Sequence, residues 1–293
     1  METSRHVFVT GASSELMQEV LKRLDPSKYT ASGLTRTPDP LVSDKVSWVV
    51  GEINQPESYK TEVAKADIII HAAAITHSKK PAPYFKVNVE GTQCLINAIP
   101  QGKDPLFVFI SSRVAGEESG AYGISKLRAE KEVKKLSSWV VIRPSEVFGG
   151  SKAEGIDKTI RSAIEGGAQL CPVGVESKMF PIHLNDTAEG IFQAAVDGSV
   201  KNQTLILNGG SGYSFSEILT LIEKLSGKRM TIIPIPKWFL GLVGFLAKVT
   251  PFDVGFVPDQ VPRLYSTKTH GPGTEETISL ESYIQELLKG RNA

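Results

Sequence analysis

An alternation of patterns constrains this chain more than any other feature. Through its first half, short strand-like runs at residues 6–10, 30–35, 46–50, 68–72, 107–111 and 139–142, most of them rich in Val, Ile and Phe, alternate with stretches whose apolar residues recur every three or four positions, at 15–24, 56–65, 84–99 and 122–136. Near-continuous apolar strands suit a sheet covered on both faces, and strands alternating with helices make βαβ units. The expectation is an α/β fold built on a doubly wound parallel sheet. After Gly149 and Gly150 the pattern changes to helices at 156–165, 214–226 and 280–288, a strand at 230–235 and an apolar stretch at 238–247. Residues 1–150 are therefore expected to form the sheet domain, with 181–209 returning to it through a strand at 204–207. The remainder of 151–293 supplies a smaller C-terminal lobe. Ser214 and Glu217 form a capping box that fixes one helix start there. In an open sheet of this kind the ligand lies beyond the carboxyl ends of the strands, here between the two lobes.

Composition narrows the function. Lys+Arg 33 against Asp+Glu 32 leaves a formal charge of +1, without the excess positive charge of a nucleic-acid binder. Two cysteines, Cys94 and Cys171, are too few for a disulfide scaffold and have no metal-ligand spacing, so a reducing cytoplasm is the expected setting and no metal is expected. The start, residues 1–10, lacks a long apolar run of the secretory type. The run 238–247, stopped by Lys248, falls well short of the ~20 residues that span a bilayer. It reads as a packing helix, or as a peripheral contact with lipid or an apolar substrate through Trp238, Phe239, Leu242 and Phe245.

Chemistry concentrates at the strand ends. The first strand runs through Thr10-Gly11-Ala12-Ser13-Ser14-Glu15-Leu16 into a helix, where a dinucleotide pyrophosphate would meet backbone N–H groups; a plain strand-to-helix turn uses the same residues. The second strand ends at Thr35-Arg36. An acid there would bind a ribose 2′-hydroxyl, whereas an Arg suits a 2′-phosphate, so Arg36 favours NADP over NAD unless it is simply a solvated surface residue. Glu52 and Ile53 close the third strand, where they could face an adenine edge. Tyr122 and Lys126, one helical turn apart, share a face, and an ammonium beside a phenol lowers its pKa from ~10 toward the range of a useful acid/base. Upstream, the strand 107–111 ends in Ser111-Ser112, either of which can hydrogen-bond the oxygen that Tyr122 protonates.

These residues resemble the short-chain dehydrogenase/reductase superfamily, and more closely its extended NAD(P)-dependent epimerase/dehydratase branch. Further matches are Asp67-Ile68-Ile69-Ile70-His71-Ala72-Ala73-Ala74, Asn88-Val89-Glu90-Gly91-Thr92, Ser111-Ser112-Arg113-Val114-Ala115-Gly116, Ile142-Arg143-Pro144-Ser145-Glu146-Val147-Phe148-Gly149 and Phe180-Pro181-Ile182-His183-Leu184-Asn185-Asp186. The resemblance implies a Rossmann-like fold and hydride exchange between a nicotinamide and a substrate carbon. It makes Tyr122 the acid/base, with Lys126 gripping the nicotinamide ribose and Asn88 supporting a water relay. Ser111 ranks ahead of Ser112 as the residue that orients the substrate oxygen. Gly11, Ser13, Ser14, Glu15, Leu16, Arg36, Glu52, Ile53, Ala72, Ala73 and Ala74 would hold the cofactor, with Pro144 and Val147 near the nicotinamide. A homodimer through the helix carrying Tyr122 is also implied.

Departures bear on cofactor and substrate. Ser14 and Met17 stand at the second and third glycine positions of the family's loop, and Glu15 lies near the pyrophosphate position, where it is expected to complement the helix dipole and point outward. Sugar-nucleotide members place Asn and Arg at the positions of Glu146 and Met179, and Lys178 can substitute only in part. The expected substrate is a small molecule bearing a carbonyl or hydroxyl, a nucleotide sugar first, contacted by Thr76, Glu146 and Lys178. The alternatives are a reductase of a smaller or apolar, lipid-linked carbonyl compound, and a cofactor-binding scaffold without turnover.

Overall fold

The computed structural model describes residues 4–37, 46–249, 258–274 and 276–292. Seven parallel strands form the central sheet: β1 (Arg5–Thr10), β2 (Tyr29–Thr35), β3 (Val46–Val50), β4 (Ile68–His71), β5 (Leu106–Ile110), β6 (Trp139–Pro144) and, after the intervening segments, β10 (Gln203–Leu207). Their spatial order is β10-β6-β5-β4-β1-β2-β3, with the switch point between β1 and β4. The expected doubly wound sheet is thus present, and 204–207 pairs with β6 in parallel. Residues 1–3 of the polar start lie outside the described residues.

Side chains alternate across the sheet with period two, so each strand feeds two cores. Val7, Val9, Ile68, Ile70, Val108, Ile110, Val140 and Ile142 bury against α1 (Glu15–Lys22) and α7 (Leu184–Val196) on one face. Phe8, Ile69, Phe107, Phe109 and Val141 bury on the other. That face is covered by α2 (Lys60–Lys65), α4 (Gly91–Asn97) and α5 (Gly120–Val133). Each such Val, Ile or Phe contributes ~1.5–3 kcal/mol of burial.

The expected helix 84–99 is instead three pieces: a turn α3 (Ala82–Tyr84), a π-helical stretch Phe85–Glu90 and α4. The wider stretch carries Asn88, whose side chain is bonded both to the Ile75 backbone and to Ser125. Gly91 follows because a Cβ there would lie 2.7 Å from Ile53.

A third core joins α6 (Gly155–Glu165), α8 (Phe215–Ser226) and α11 (Leu280–Asn292) through Ile156, Ile160, Ile218, Leu219, Ile222 and Ile284. The Ser214–Glu217 capping box is formed. Two small parallel ladders, β7 (Val147–Phe148) with β9 (Ile182–His183) and β8 (Ala168–Pro172) with β11 (Thr231–Ile235), complete this region; β7, β8 and β9 are too short or too polar to stand out in the sequence. The remaining α-helices among the described residues are α9 (Lys237–Val249) and α10 (Gln260–Tyr265).

Candidate active site

Two cavities lie beyond the strand ends. The first, of about 320 Å³, is lined by Gly11, Ser13, Ser14, Thr35, Arg36, Glu52, Ile53, Ala72, Ala73 and Ala74, among others. Its floor is fixed by polar contacts buried under β1 and β4. Thr92 donates to the Asn88 carbonyl, so the His71 Nε2–H donates to Thr92 at 2.9 Å and Nδ1 is left to accept from the Thr10 hydroxyl at 2.6 Å. Thr10 in turn accepts from the Ala73 N–H. This assignment requires a neutral imidazole, and burial holds His71 down to about 3. The loop is thereby drawn so close to the turn that a Cβ on Gly11, at φ +68°, would sit 2.8 Å from the Ala73 nitrogen. Ser14 caps α1 by accepting from the Met17 N–H.

The carboxylate of Glu15 turns away from this cavity and accepts from the Ser151 N–H at 2.6 Å. It ties the start of α1 to the loop that leaves the sheet, so the side chain expected to point outward and to stand among the cofactor-holding residues is instead engaged with Ser151 and is absent from the cavity lining. Leu16, partly buried, packs against the core beneath α1 and is absent from the cavity lining.

The second cavity, of about 450 Å³, is lined by Thr76, His77, Ser112, Arg113, Tyr122, Glu146, Val147, Met179, Arg263 and Lys268, among others. The segment following β4 lines the first cavity as far as Ile75 and the second from Thr76, so the two are neighbours. Tyr122 projects from the first turn of α5, whose N-terminus is capped from far along the chain: Asp259 accepts from the Ala121 and Tyr122 N–H groups at 2.6 and 3.2 Å. Asp259 also holds Arg263, whose guanidinium lies 4.1 Å from the Tyr122 ring centroid and donates to Tyr84 and to the Thr76 carbonyl. Burial lifts the Tyr122 phenol above its ordinary value, while Arg263 and a hydrogen bond with Ser112 pull it back.

The position of Lys126 corrects one expectation. Its ammonium is buried, donates to the Ile110 carbonyl at 2.7 Å and lies 4.2 Å over the Phe109 ring. Burial pulls it down to about 7, and the groups that lower the Tyr122 phenol are Arg263 and Ser112. The cation set against the phenol is Arg263, a residue the sequence reading missed. Its only sequence signal is the Asp259/Arg263 spacing of one helical turn.

The serine ranking is also reversed. Ser111 donates to the buried Glu130 at 2.5 Å, and Glu130 is clasped by both Arg143 Nε and Nη2 at 2.8 and 2.7 Å. Ser112 faces Tyr122 in the cavity. Asn88 spends both amide hydrogens on Ile75 and Ser125 and has none for a water relay, which makes it a positioning residue. Lys178 pairs with Glu217 at 3.6 Å outside the second cavity, and only its carbonyl serves the site, accepting from Arg113. Pro144 is buried at the end of β6 and lines neither cavity.

Glu146 lines the second cavity but is already committed to Arg113, Ser145 and the Phe180 N–H. Lys268 was also missed. It is 6% exposed, its nitrogen donates to the Leu264 carbonyl, and it has no salt bridge among the described residues. Burial pulls its ammonium below the ordinary lysine value, Glu146 opposing.

Comparison with known proteins matches residues 7–208 to the model of the NAD dependent epimerase/dehydratase family. The NADH-ubiquinone oxidoreductase 40 kDa subunit of Neurospora crassa is 22% identical over 231 residues, 78% of this chain but 60% of that protein, so the chain spans less than two thirds of its length. A 3-beta-hydroxysteroid dehydrogenase of Mycolicibacterium neoaurum is 25% identical over 264 residues, 78% of this chain and 72% of that one. Among solved structures, a UDP-glucose 4-epimerase of Thermotoga maritima with UDP-glucose superposes with a TM-score of 0.73 at 16% identity over 98% of both chains, a likeness of fold.

Proposed function

The chain belongs to the NAD dependent epimerase/dehydratase family, and on that premise we propose that it is an NADP-preferring oxidoreductase acting at a carbonyl or hydroxyl centre, with a nucleotide sugar as its first substrate class. The observation that carries this reading is the placement of Tyr122 and Ser112 in a cavity adjoining a second, Gly11-walled one of dinucleotide type. The first cavity fits such a cofactor: a Cβ-free turn, small residues at Ala72–Ala74, the opening N–H groups of α1 and Arg36 at the rim. Those residues would hold it, and when bound it supplies or takes up the hydride. Tyr122 donates its proton to, or accepts one from, the substrate oxygen. Ser112 hydrogen-bonds the same oxygen and the phenol, and Arg263 stabilises the phenolate form through the ring face.

The nucleotide-sugar reading is supported by Lys268 and Arg113. Both are nearly buried at the cavity, one without a carboxylate partner and the other with an Nε lacking any hydrogen bond, a setting that favours an anionic substrate group. A second reading, an apolar carbonyl substrate, is favoured by Val114, Val147, Val175, Met179, Phe215 and Leu264 in the same lining and by the hydroxysteroid dehydrogenase relative.

The test is NADPH-linked turnover against nucleotide sugars and against steroid or isoprenoid ketones, for the protein and for Tyr122→Phe. Activity on a nucleotide sugar that Tyr122→Phe lowers by ~10²–10⁴ supports the first reading. Activity confined to apolar ketones selects the second. Cofactor binding without turnover on either class overturns both.

A further inference from the structure

The C-terminal region carries a surface that neither the cofactor nor the substrate cavity uses. On α9, Trp238 is 70%, Leu242 47% and Phe245 60% exposed, with Phe239 beside them. Positions 238, 239, 242 and 245 fall on one side of a helix, while Gly244 and Ala247 on the other side are buried. The ladder that feeds this helix also presents an apolar pair outward, Leu170 opposite Ile233. Large exposed aromatics grouped this way mark a contact surface.

Charge says what covers it. From residue 224 to 252 the sequence holds five cations, Lys224, Lys228, Arg229, Lys237 and Lys248, and no Asp or Glu, in a chain whose total formal charge is only +1. An apolar helical face with tryptophan near its start, set in a purely cationic stretch, matches the interfacial zone of an anionic bilayer, where aromatic rings sit at headgroup depth and lysines meet lipid phosphates. No helix among the described residues is long and apolar enough to cross a membrane, so the contact would lie along the surface.

We propose that α9 is a monotopic docking face for an anionic lipid surface. The helix has a firm base: Lys237 stacks 4.9 Å over the Tyr265 ring at the end of α10, and Tyr265 donates to the Val173 carbonyl. Gln260, Arg263 and Leu264 of α10 line the second cavity, so a docked molecule would hold that cavity close to the lipid. This last consequence rests on reading the cavity as the substrate site; the docking itself does not.

The experiment is co-sedimentation of the full chain with vesicles of phosphatidylcholine alone and of phosphatidylcholine doped with phosphatidylserine, at low and high salt. The chain is expected to pellet with the anionic vesicles, to release severalfold in high salt, and to shift its tryptophan emission to the blue on binding. Leu242→Asp combined with Phe245→Asp should lower the bound fraction about tenfold or more while leaving the far-ultraviolet spectrum and melting temperature unchanged. Three results overturn the proposal: no binding to either vesicle, equal binding to neutral and anionic vesicles, or unaltered binding of the double variant. A concentration-dependent dimer dispersed by the same substitutions would assign the face to a second copy of the chain and overturn it as well.

Discussion

A buried phenol is a poor proton carrier unless something stabilises its anion, and at Tyr122 that duty falls on Arg263 and Ser112. Removing the guanidinium destabilises phenolate, so Arg263→Met should move the apparent pKa of the acid/base group upward. Activity that needs the phenolate then retreats to higher pH, and Arg263→Lys recovers part of the shift. The pH profile of kcat/KM checks this, and tyrosinate absorbance referenced to Tyr122→Phe checks it without any substrate. The two serines should separate cleanly. Ser112→Ala lowers kcat with little change in stability. Ser111→Ala leaves kcat in place but costs ~1–3 kcal/mol, because it strips a donor from the buried Glu130; paired kinetics and urea denaturation distinguish them. The Tyr122/Lys126 spacing was legible in the sequence because i and i+4 share a helix face, but which cation faces the phenol was not. The serine ranking was in fact within reach. Phe107, Phe109 and Ser111 alternate onto the α5 side of the sheet, which sends Ser111 toward Glu130 and away from the cleft.

Among the elements, α5 depends on a cap that no local pattern announces. Its own N-cap residue, Ser119, makes no side-chain cap; Asp259, more than a hundred residues later, accepts from the first N–H groups. Asp259→Ala should therefore cost ~1 kcal/mol of stability and, by freeing Arg263, also lower kcat; thermal unfolding and kinetics on one preparation test both effects. Helix ends set by distant residues escape a reading that works through neighbours. So did the break in the 84–99 pattern, since the apolar spacing continues through the π-helical stretch, whose Asn88 bonds to Ile75 and Ser125. α10, six residues with Pro262 inside, was too short for its spacing to register. By contrast α8 runs Phe215–Ser226 with Ser214 as its cap, within one residue of the expected 214–226, because its capping box is local.

At the scale of the molecule, the sheet was readable because most of the central strands are short apolar runs and those at β1, β3, β4 and β5 are each followed by a helix-period segment. That pattern admits few architectures. Where the two cavities meet is a tertiary fact, set by the path of residues 72–77 across the end of β4. The proposed chemistry requires a dinucleotide in the Gly11 cavity with Arg36 at its rim, beside Tyr122. Fluorescence titration of NADPH and NADH against the protein and Arg36→Ala tests this most directly. Saturable NADPH binding with enhanced, blue-shifted emission, weakened about tenfold by Arg36→Ala while NADH binding stays unchanged, is the expected result. Absence of saturable binding by either nucleotide would rule out a cofactor in the Gly11 cavity, and equal binding of both, unmoved by the substitution, would remove Arg36 from the cofactor site.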